Sequence, residues 1–169
     1  TQALDVADQL MVMDGEAPQF EDGQFDLVLS SLTFQWFDDL PGALSQLLPC
    51  LRSGGILCFA TMGAESFDAW RRAHEHEGLD CGIPDYPQLG ELKAQLAHLG
   101  PHEAMEQLVP MDETGGRALL RHFHAIGAFV PRAGYQPMRP SALRRTIARF
   151  DSNGGRADYH ILYAKVRHG

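Results

Sequence analysis

The chain has 169 residues, 44% of them hydrophobic and 21% charged, which suits one domain with a real core and is too short for two ordinary ones. Apolar runs such as DLVLSSLTF, residues 26–34, stop near half the length that spans a bilayer, and no basic-then-apolar leader follows Thr1. Three cysteines (Cys50, Cys58, Cys81) form an odd, sparse set with no CxxC pair, which fits a reducing cytosol better than a disulfide framework or a structural zinc site and leads us to expect a cytoplasmic protein. The net charge of −8 is unevenly spread: residues 1–116 carry 4 basic and 20 acidic side chains, whereas residues 117–169 carry 10 basic ones against Asp151 and Asp158. A basic surface for an anionic partner, or neutralisation of one half by the other, follows from that asymmetry.

In chain order, Leu10 to Met13 reads as a short strand ending in the Asp14-Gly15 turn. Phe25 to Leu29 (FDLVL) reads as a strand buried on both faces, because its apolar character is continuous. Asp39 stands as a cap before a helix whose Leu44, Leu47, Leu48 and Leu51 share one face, with Ser53-Gly54-Gly55 as its stop. Pro49 conflicts with that helix, since its ring and missing N–H should kink or end it. Ile56 to Ala60 is the next strand. Phe67, Trp70 and His74 share a face of a helix from about Glu65 to Glu77, and a Gly/Pro-rich loop follows from Gly78 to Pro87. Leu89, Leu92, Leu96 and Leu99 mark a helix closed by Gly100-Pro101, and Glu103 to Pro110 alternates weakly as a strand. Leu119, Leu120, Phe123 and Ile126 mark a helix ending at Gly127; Leu143, Ile147 and Phe150 mark the last helix. Tyr159 to Val166 closes the chain as a strand apolar on both faces. Alternating strands and helices give an α/β layered sheet with an antiparallel finish.

The stretch Asp14 to Gly63 holds an acidic turn after a strand, then FDLVLS, an aromatic loop with Gln35-Trp36, a helix, Gly-Gly and a strand, in that order. It resembles the second half of a class I S-adenosylmethionine-dependent methyltransferase. The loop SSLTFQWFDDLP, together with Leu120-Arg121, Ala125-Ile126-Gly127-Ala128 and Tyr159-His160, is similar to the biotin-synthesis methyltransferases that act on malonyl-acyl carrier protein (BioC). The resemblance implies an incomplete Rossmann-like α/β sheet with helices on both faces. Residues 1–169 would form the C-terminal part of one methyltransferase domain, with lid-like helical insertions around 78–101 and 113–150. The glycine-rich loop and the ribose-gripping acidic residue of that fold are missing; Gly54-Gly55 follows a helix rather than a strand and cannot stand in for that loop.

The resemblance implies S-adenosylmethionine as cofactor, with Asp14 and Gly15 beside the adenine and Ser30, Ser31 and Leu32 along the strand's carboxyl edge, where open α/β sheets bind ligands. Gln35, Trp36 and His160 would face substrate. Arg121 would grip a malonyl carboxylate through its guanidinium fork, and Tyr159 would hydrogen-bond substrate. Tyr159 and His160 point to opposite sides of their strand, so at most one of them meets the site directly. Arg139, Arg144, Arg145 and Arg149 would dock an acidic carrier protein, although malonyl-coenzyme A is an alternative acceptor. The pairs His74/His76 and His122/His124 have i, i+2 spacing, which turns the rings apart on a helix, so no metal is expected. Two other readings of this shell are a methyltransferase-like arginine hydroxylase acting in assembly and a non-catalytic binding module. A nucleic-acid methyltransferase is disfavoured by the acidic remainder.

Overall fold

A computed structural model of the protein describes residues 10–128 and 134–169. Its sheet contains β1 (Phe25–Ser31), β2 (Leu51–Met62), β3 (His102–Thr114) and β4 (Arg156–Arg167), in spatial order β1-β2-β4-β3. β1 and β2 are parallel, while β4 runs antiparallel to both β2 and β3. The parallel pair is joined by a crossover through α1 (Leu40–Leu47), as parallel strands require. The remaining helices are α2 (Asp68–His76), α3 (Leu89–Leu96), α4 (Gly116–Ala125) and α5 (Pro140–Ser152).

Local chemistry sets the boundaries. Asp39 caps α1, its carboxylate accepting from the Gly42 amide at 3.0 Å. Pro49 ends the helix early: after Leu47 the chain tightens into a 3-10 turn at Leu48–Cys50 and enters β2 at Leu51. The expected helix stop at Ser53-Gly54-Gly55 therefore lies inside a strand. There Gly54 takes φ +79°, and the β1–β2 register slips between Phe25 and Leu27.

Leu10 to Met13 is not a strand. The segment is irregular, and Leu10 and Val12 are almost fully exposed. β1 is paired on one edge only, with β2, and this segment does not add to its free edge. Helices do cover both faces. One core joins α1 and α3 to the sheet through Leu44, Leu47, Leu92 and Leu96 against Leu57, Phe59, Leu162 and Val166. The other joins α2, α4 and α5 to the opposite face through Trp70, Leu119 and Phe150 against Met62, Met111 and Ile161. That second cover is partial. Around Leu27 and Leu29 of β1, 50% and 69% exposed, the sheet face is open, and a shallow trough of about 650 Å³ runs past Cys58, Met105 and Tyr163. α3 packs on the sheet through Leu92 and Leu96, both buried in the first core.

Candidate functional site

Two residues at the carboxyl ends of the parallel strands hold left-handed backbone conformations that side chains rarely adopt: Leu32 after β1 (φ 51°) and Phe67 after β2 (φ 58°). Strain of this kind, of order 1–3 kcal/mol per residue, persists where the surroundings over-determine it, and it clusters at functional sites. The surroundings are visible at both. The Leu32 amide donates to the Ala60 carbonyl at 2.9 Å, and the Gln35 side-chain amide donates to the Leu32 carbonyl at 2.6 Å. The Phe67 amide donates to the Asp158 carbonyl at 2.9 Å, and its ring meets Phe123 and Tyr159 edge-on, with centroids 4.8 and 5.0 Å away.

Beside Phe67 opens a cavity of about 630 Å³. Trp36 reaches it from the loop after β1, Trp70 and His74 from α2, Ile83 and Tyr86 from the loop after α2, and Leu120 and Phe123 from α4; Tyr135 and Leu143 complete it. An aromatic and aliphatic pocket with a few polar groups is the usual form of a small-molecule site. Arg71 braces one wall: its guanidinium donates to the Ser66 and Pro84 carbonyls at 3.3 and 2.7 Å and lies 5.8 Å from the Tyr86 ring centroid. Burial pushes the Tyr86 hydroxyl up to about 12, so it stays a neutral donor. His74 is buried, and its Nδ1 lies 2.8 Å from the Trp70 carbonyl; that nitrogen donates, leaving Nε2 bare in the neutral ring.

Desolvation holds His74 below its ordinary value of 6.5. The unfolded chain therefore binds more protons here than the folded one, and stability rises with pH through this region. We predict that wild-type stability falls as pH is lowered from 7 to 5 and that His74→Gln removes part of that slope. Urea melts at both pH values test this; parallel slopes would exclude the assignment.

The sequence-derived residues fall into separate groups. Trp36 lines the cavity, whereas Ser30 and Ser31 line the open trough on the other side of the Leu32 turn. Gln35 turns its nitrogen to the backbone beside it. With its nitrogen on Leu32, the buried end is Oε1, an acceptor without a partner among the described residues. Asp14 sits in an exposed turn, its carboxylate taking the Glu16 amide at 3.0 Å. Gly15 lies so close to the Phe37 ring that a Cβ would meet it at 2.8 Å. Arg121 is exposed on α4, and its neighbour Leu120, not Arg121 itself, lines the cavity.

His160 is internal rather than facing substrate. Its Nδ1 accepts from the Glu65 amide at 3.2 Å and its Nε2 donates to Glu106 at 3.1 Å, which consumes both ring nitrogens. Arg144 is exposed on α5 and Arg149 half-buried. Arg139 and Arg145 border a recess of about 450 Å³ that shares Pro137 and Met138 with the aromatic cavity. Arg145 also donates to Glu77 at 2.7 Å, a bond that holds the Glu77 carboxyl below its usual range. No cluster of three or more metal-ligating side chains occurs among the described residues.

Sequence patterning singled out the Phe67–Trp70–His74 face of α2 without a role; the fold makes it a cavity wall. Tyr86 and Phe123 carried no such signal, because a loop aromatic and a helix aromatic look like ordinary core residues until the chain brings them together.

The Methyltransferase domain family matches residues 2–59. The chain is 38% identical over 164 residues to the biotin biosynthesis bifunctional protein BioCD of Bordetella avium, covering 97% of this chain and 35% of that protein. It is 30% identical over 177 residues to the malonyl-[acyl-carrier protein] O-methyltransferase of Serratia marcescens, covering 96% of this chain and 68% of that protein. The chain thus spans about a third to two thirds of these relatives' length. Among solved structures, the YcgJ protein of Bacillus subtilis superposes with a TM-score of 0.58 at 13% identity, over 92% of this chain and 69% of that one, a likeness of fold. The chain belongs to the class I S-adenosylmethionine-dependent methyltransferases, in the group of the malonyl-[acyl-carrier protein] O-methyltransferases.

Proposed function

We propose that this chain is the C-terminal part of an S-adenosylmethionine-dependent O-methyltransferase of biotin synthesis that methylates the free carboxylate of a malonyl thioester on an acyl carrier protein. The observation that carries the reading is the aromatic cavity at the carboxyl edge of the parallel strands, joined to an arginine-bordered recess. Within this reading the loop at 78–87 and the segment 113–150, with α4 and α5, act as the lid over the acceptor.

One feature of the strand edge supports a place there for the cofactor. Beside the strained Leu32 turn, the orphaned Gln35 Oε1 is a buried acceptor, which suits a donor such as the cofactor's ammonium group. Ser30, Ser31 and Asp14 would serve the rest of the same edge. When bound, the cofactor supplies an electrophilic methyl group on a sulfonium. A carboxylate with an ordinary pKa near ~4 is already ionised at neutral pH, so the displacement needs no general base. What remains for the protein is positioning and exclusion of water, which supply on the order of 7–11 kcal/mol in well-oriented reactions. Trp36, Phe67 and Trp70 do this by walling the cavity. Arg121 would meet the carboxylate from α4 when the lid closes. The arginines at the recess would take the phosphate of the carrier's arm and the acidic carrier surface, leaving the arm's apolar length to the cavity.

The test is methyl transfer from labelled cofactor by the full-length protein that carries this chain. Labelled ester is expected on malonyl-carrier protein and none on acetyl-carrier protein, which lacks the free carboxylate. Reversing Arg144 and Arg145 to Glu is expected to raise the carrier KM about tenfold at low salt and less at high salt, since rim charges act mainly through encounter. Label on both carriers, or on neither, would overturn the proposal.

A further inference from the structure

Arg71 and Arg72 stand side by side on α2 and are used in opposite ways. Arg72 is exposed and pairs with Asp68 one turn earlier at 2.6 Å, the ordinary use of a helix arginine. Arg71 is half-buried and turns toward the loop that follows its own helix. Its Nε donates to the Ser66 carbonyl at 3.3 Å and its Nη2 to the Pro84 carbonyl at 2.7 Å, while Nη1 reaches the Cys81 sulfur at 4.0 Å. The same guanidinium lies beside the Tyr86 ring.

These partners join the loop to the sheet. Ser66 is buried, and its hydroxyl is bonded twice to β4: it donates to the His160 carbonyl at 3.0 Å and accepts from the His160 amide at 3.1 Å. At the far end of the loop, the Pro87 carbonyl accepts from the Ala64 amide at 3.0 Å. Pro84 and Tyr86 lie between these anchors, in a stretch, residues 79–88, that forms no helix or strand. A guanidinium fork suits the task, because it holds two carbonyls in fixed directions through charge-assisted bonds and packs its flat face on a ring. Arg71 thus fastens the loop to the sheet by way of Ser66. The loop so held is one wall of the aromatic cavity: Cys81, Ile83, Pro84 and Tyr86 line it, together with Phe67 and Trp70 from the turn and helix that carry Arg71. Arg71 itself does not line the cavity, and among the described residues neither does any other arginine, any lysine or any carboxylate. A wall of that kind suits an uncharged ligand segment, since a carboxylate placed against it would lose its water without gaining a charged partner.

We infer that Arg71 is a positioning residue for the acceptor: it fixes residues 81–86 as the uncharged wall against which the neutral arm of the thioester lies. The inference rests on the proposed use of the cavity for the acceptor. Sequence alone gave Arg71 no such standing, because its neighbour Arg72 occupies the next position on the same helix and is an ordinary surface residue.

Iodoacetamide labelling of the full-length protein that carries this chain, read cysteine by cysteine by mass spectrometry, tests both halves of the inference. Cys81 lines the cavity, whereas Cys58 lines the open trough and serves as the internal control. In the wild type, S-methylpantetheine, an uncharged arm with no thiol of its own, is expected to slow labelling at Cys81 and not at Cys58. Malonate, a dianion with no arm, is expected to slow neither. Protection of Cys81 by malonate, or none by S-methylpantetheine, would overturn the ligand half, and this measurement needs no variant. Arg71→Lys keeps the charge and loses the fork; Arg71→Ala loses both. Each is expected to speed labelling at Cys81 several-fold with Cys58 unchanged. Each is also expected to raise the malonyl-carrier KM about tenfold, the value of one hydrogen bond, with the loss in KM rather than kcat and cofactor affinity unchanged. Faster labelling at both cysteines would show general loosening in place of a local clamp and overturn the inference, as would a lysine variant that behaves like the wild type. Wild-type protein that methylates no malonyl carrier would instead overturn the proposed function and leave the clamp at Cys81 standing.

Discussion

Replacing Trp70 by alanine is expected to cost the protein about 3–5 kcal/mol, the range for deleting a large buried aromatic. Trp70 is only 2% exposed, and three helices meet around it. Its own helix α2 supplies His74, with ring centroids 4.7 Å apart, and α5 supplies Phe150 at 5.3 Å. From α4, Gly116 approaches so closely that a Cβ there would sit 3.1 Å from the indole. None of these neighbours can move in to fill the gap without unpacking another, so the transfer loss and the cavity loss both apply. A domain with an ordinary stability of about 5–15 kcal/mol would surrender a large share of it. Urea titration followed by circular dichroism reads the change, and Trp70→Phe, which keeps a ring in the space, should lose less than half as much. A loss under about 1 kcal/mol for the alanine variant would show that this three-helix junction collapses readily, contrary to the packing described. The same substitution removes one wall of the aromatic cavity, which couples the site's shape to the stability of its frame.

The fold was legible where local signals agreed and illegible where a tertiary partner decides. β2 and β4 could be read because both faces are covered, which makes their apolar runs continuous. Asp39 was readable as a cap because capping is a short-range bond. Pro49 announced a conflict but not its resolution, since a 3-10 turn followed at once by a strand depends on β1 being there to pair. Gly54-Gly55 looked like a helix stop because the same conformational freedom serves a break and a bulge. Leu10 to Met13 failed for the opposite reason: its apolar run promised a strand, and strand formation needs a paired neighbour, which this segment does not have among the described strands. β3 is longer than the weak alternation suggested, 13 residues from His102 to Thr114. As an edge strand it exposes Met105 and Leu108 and carries Glu103, Glu106, Pro110 and Asp112, so its pattern is blurred and its edge guarded. In the candidate site, the aromatic loop at Gln35-Trp36 stood out in the sequence. The Gln35 hydrogen-bond polarity did not, because it depends on the turned backbone at Leu32, three residues away; nor did the contacts of His122 with Glu113 and Tyr159, which join three elements of the fold.

The isolated 169-residue chain is expected to bind S-adenosylmethionine weakly, with no saturation below about 1 mM, an affinity equivalent to about −4 kcal/mol. The strand edge at Ser30 to Leu32 and the Asp14-Gly15 turn provide one side of a cradle for a charged amino acid joined to an adenosine. The chain offers no glycine-rich turn after a strand to approach the cofactor's polar end from the other side. β1, which carries that edge, is paired on one side only, and Leu27 and Leu29 lie exposed on a sheet face that continues past Cys58 to Met105 and Tyr163. Buried core strands do not tolerate such a face, and an apolar patch beside an unpaired edge is a site for association. The Bordetella avium and Serratia marcescens relatives extend well beyond the region matched here, and in the proposed reading their additional residues supply the missing neighbour of β1 and the second half of the cradle. Calorimetric titration of the isolated chain and of the full-length protein, side by side, is the measurement. Micromolar binding only by the longer protein is the expected result. A low-micromolar dissociation constant for the isolated chain would mean that the Gln35 acceptor and the Leu32 turn hold the cofactor unaided, and that the exposed face of β1 serves a partner other than the protein's own chain.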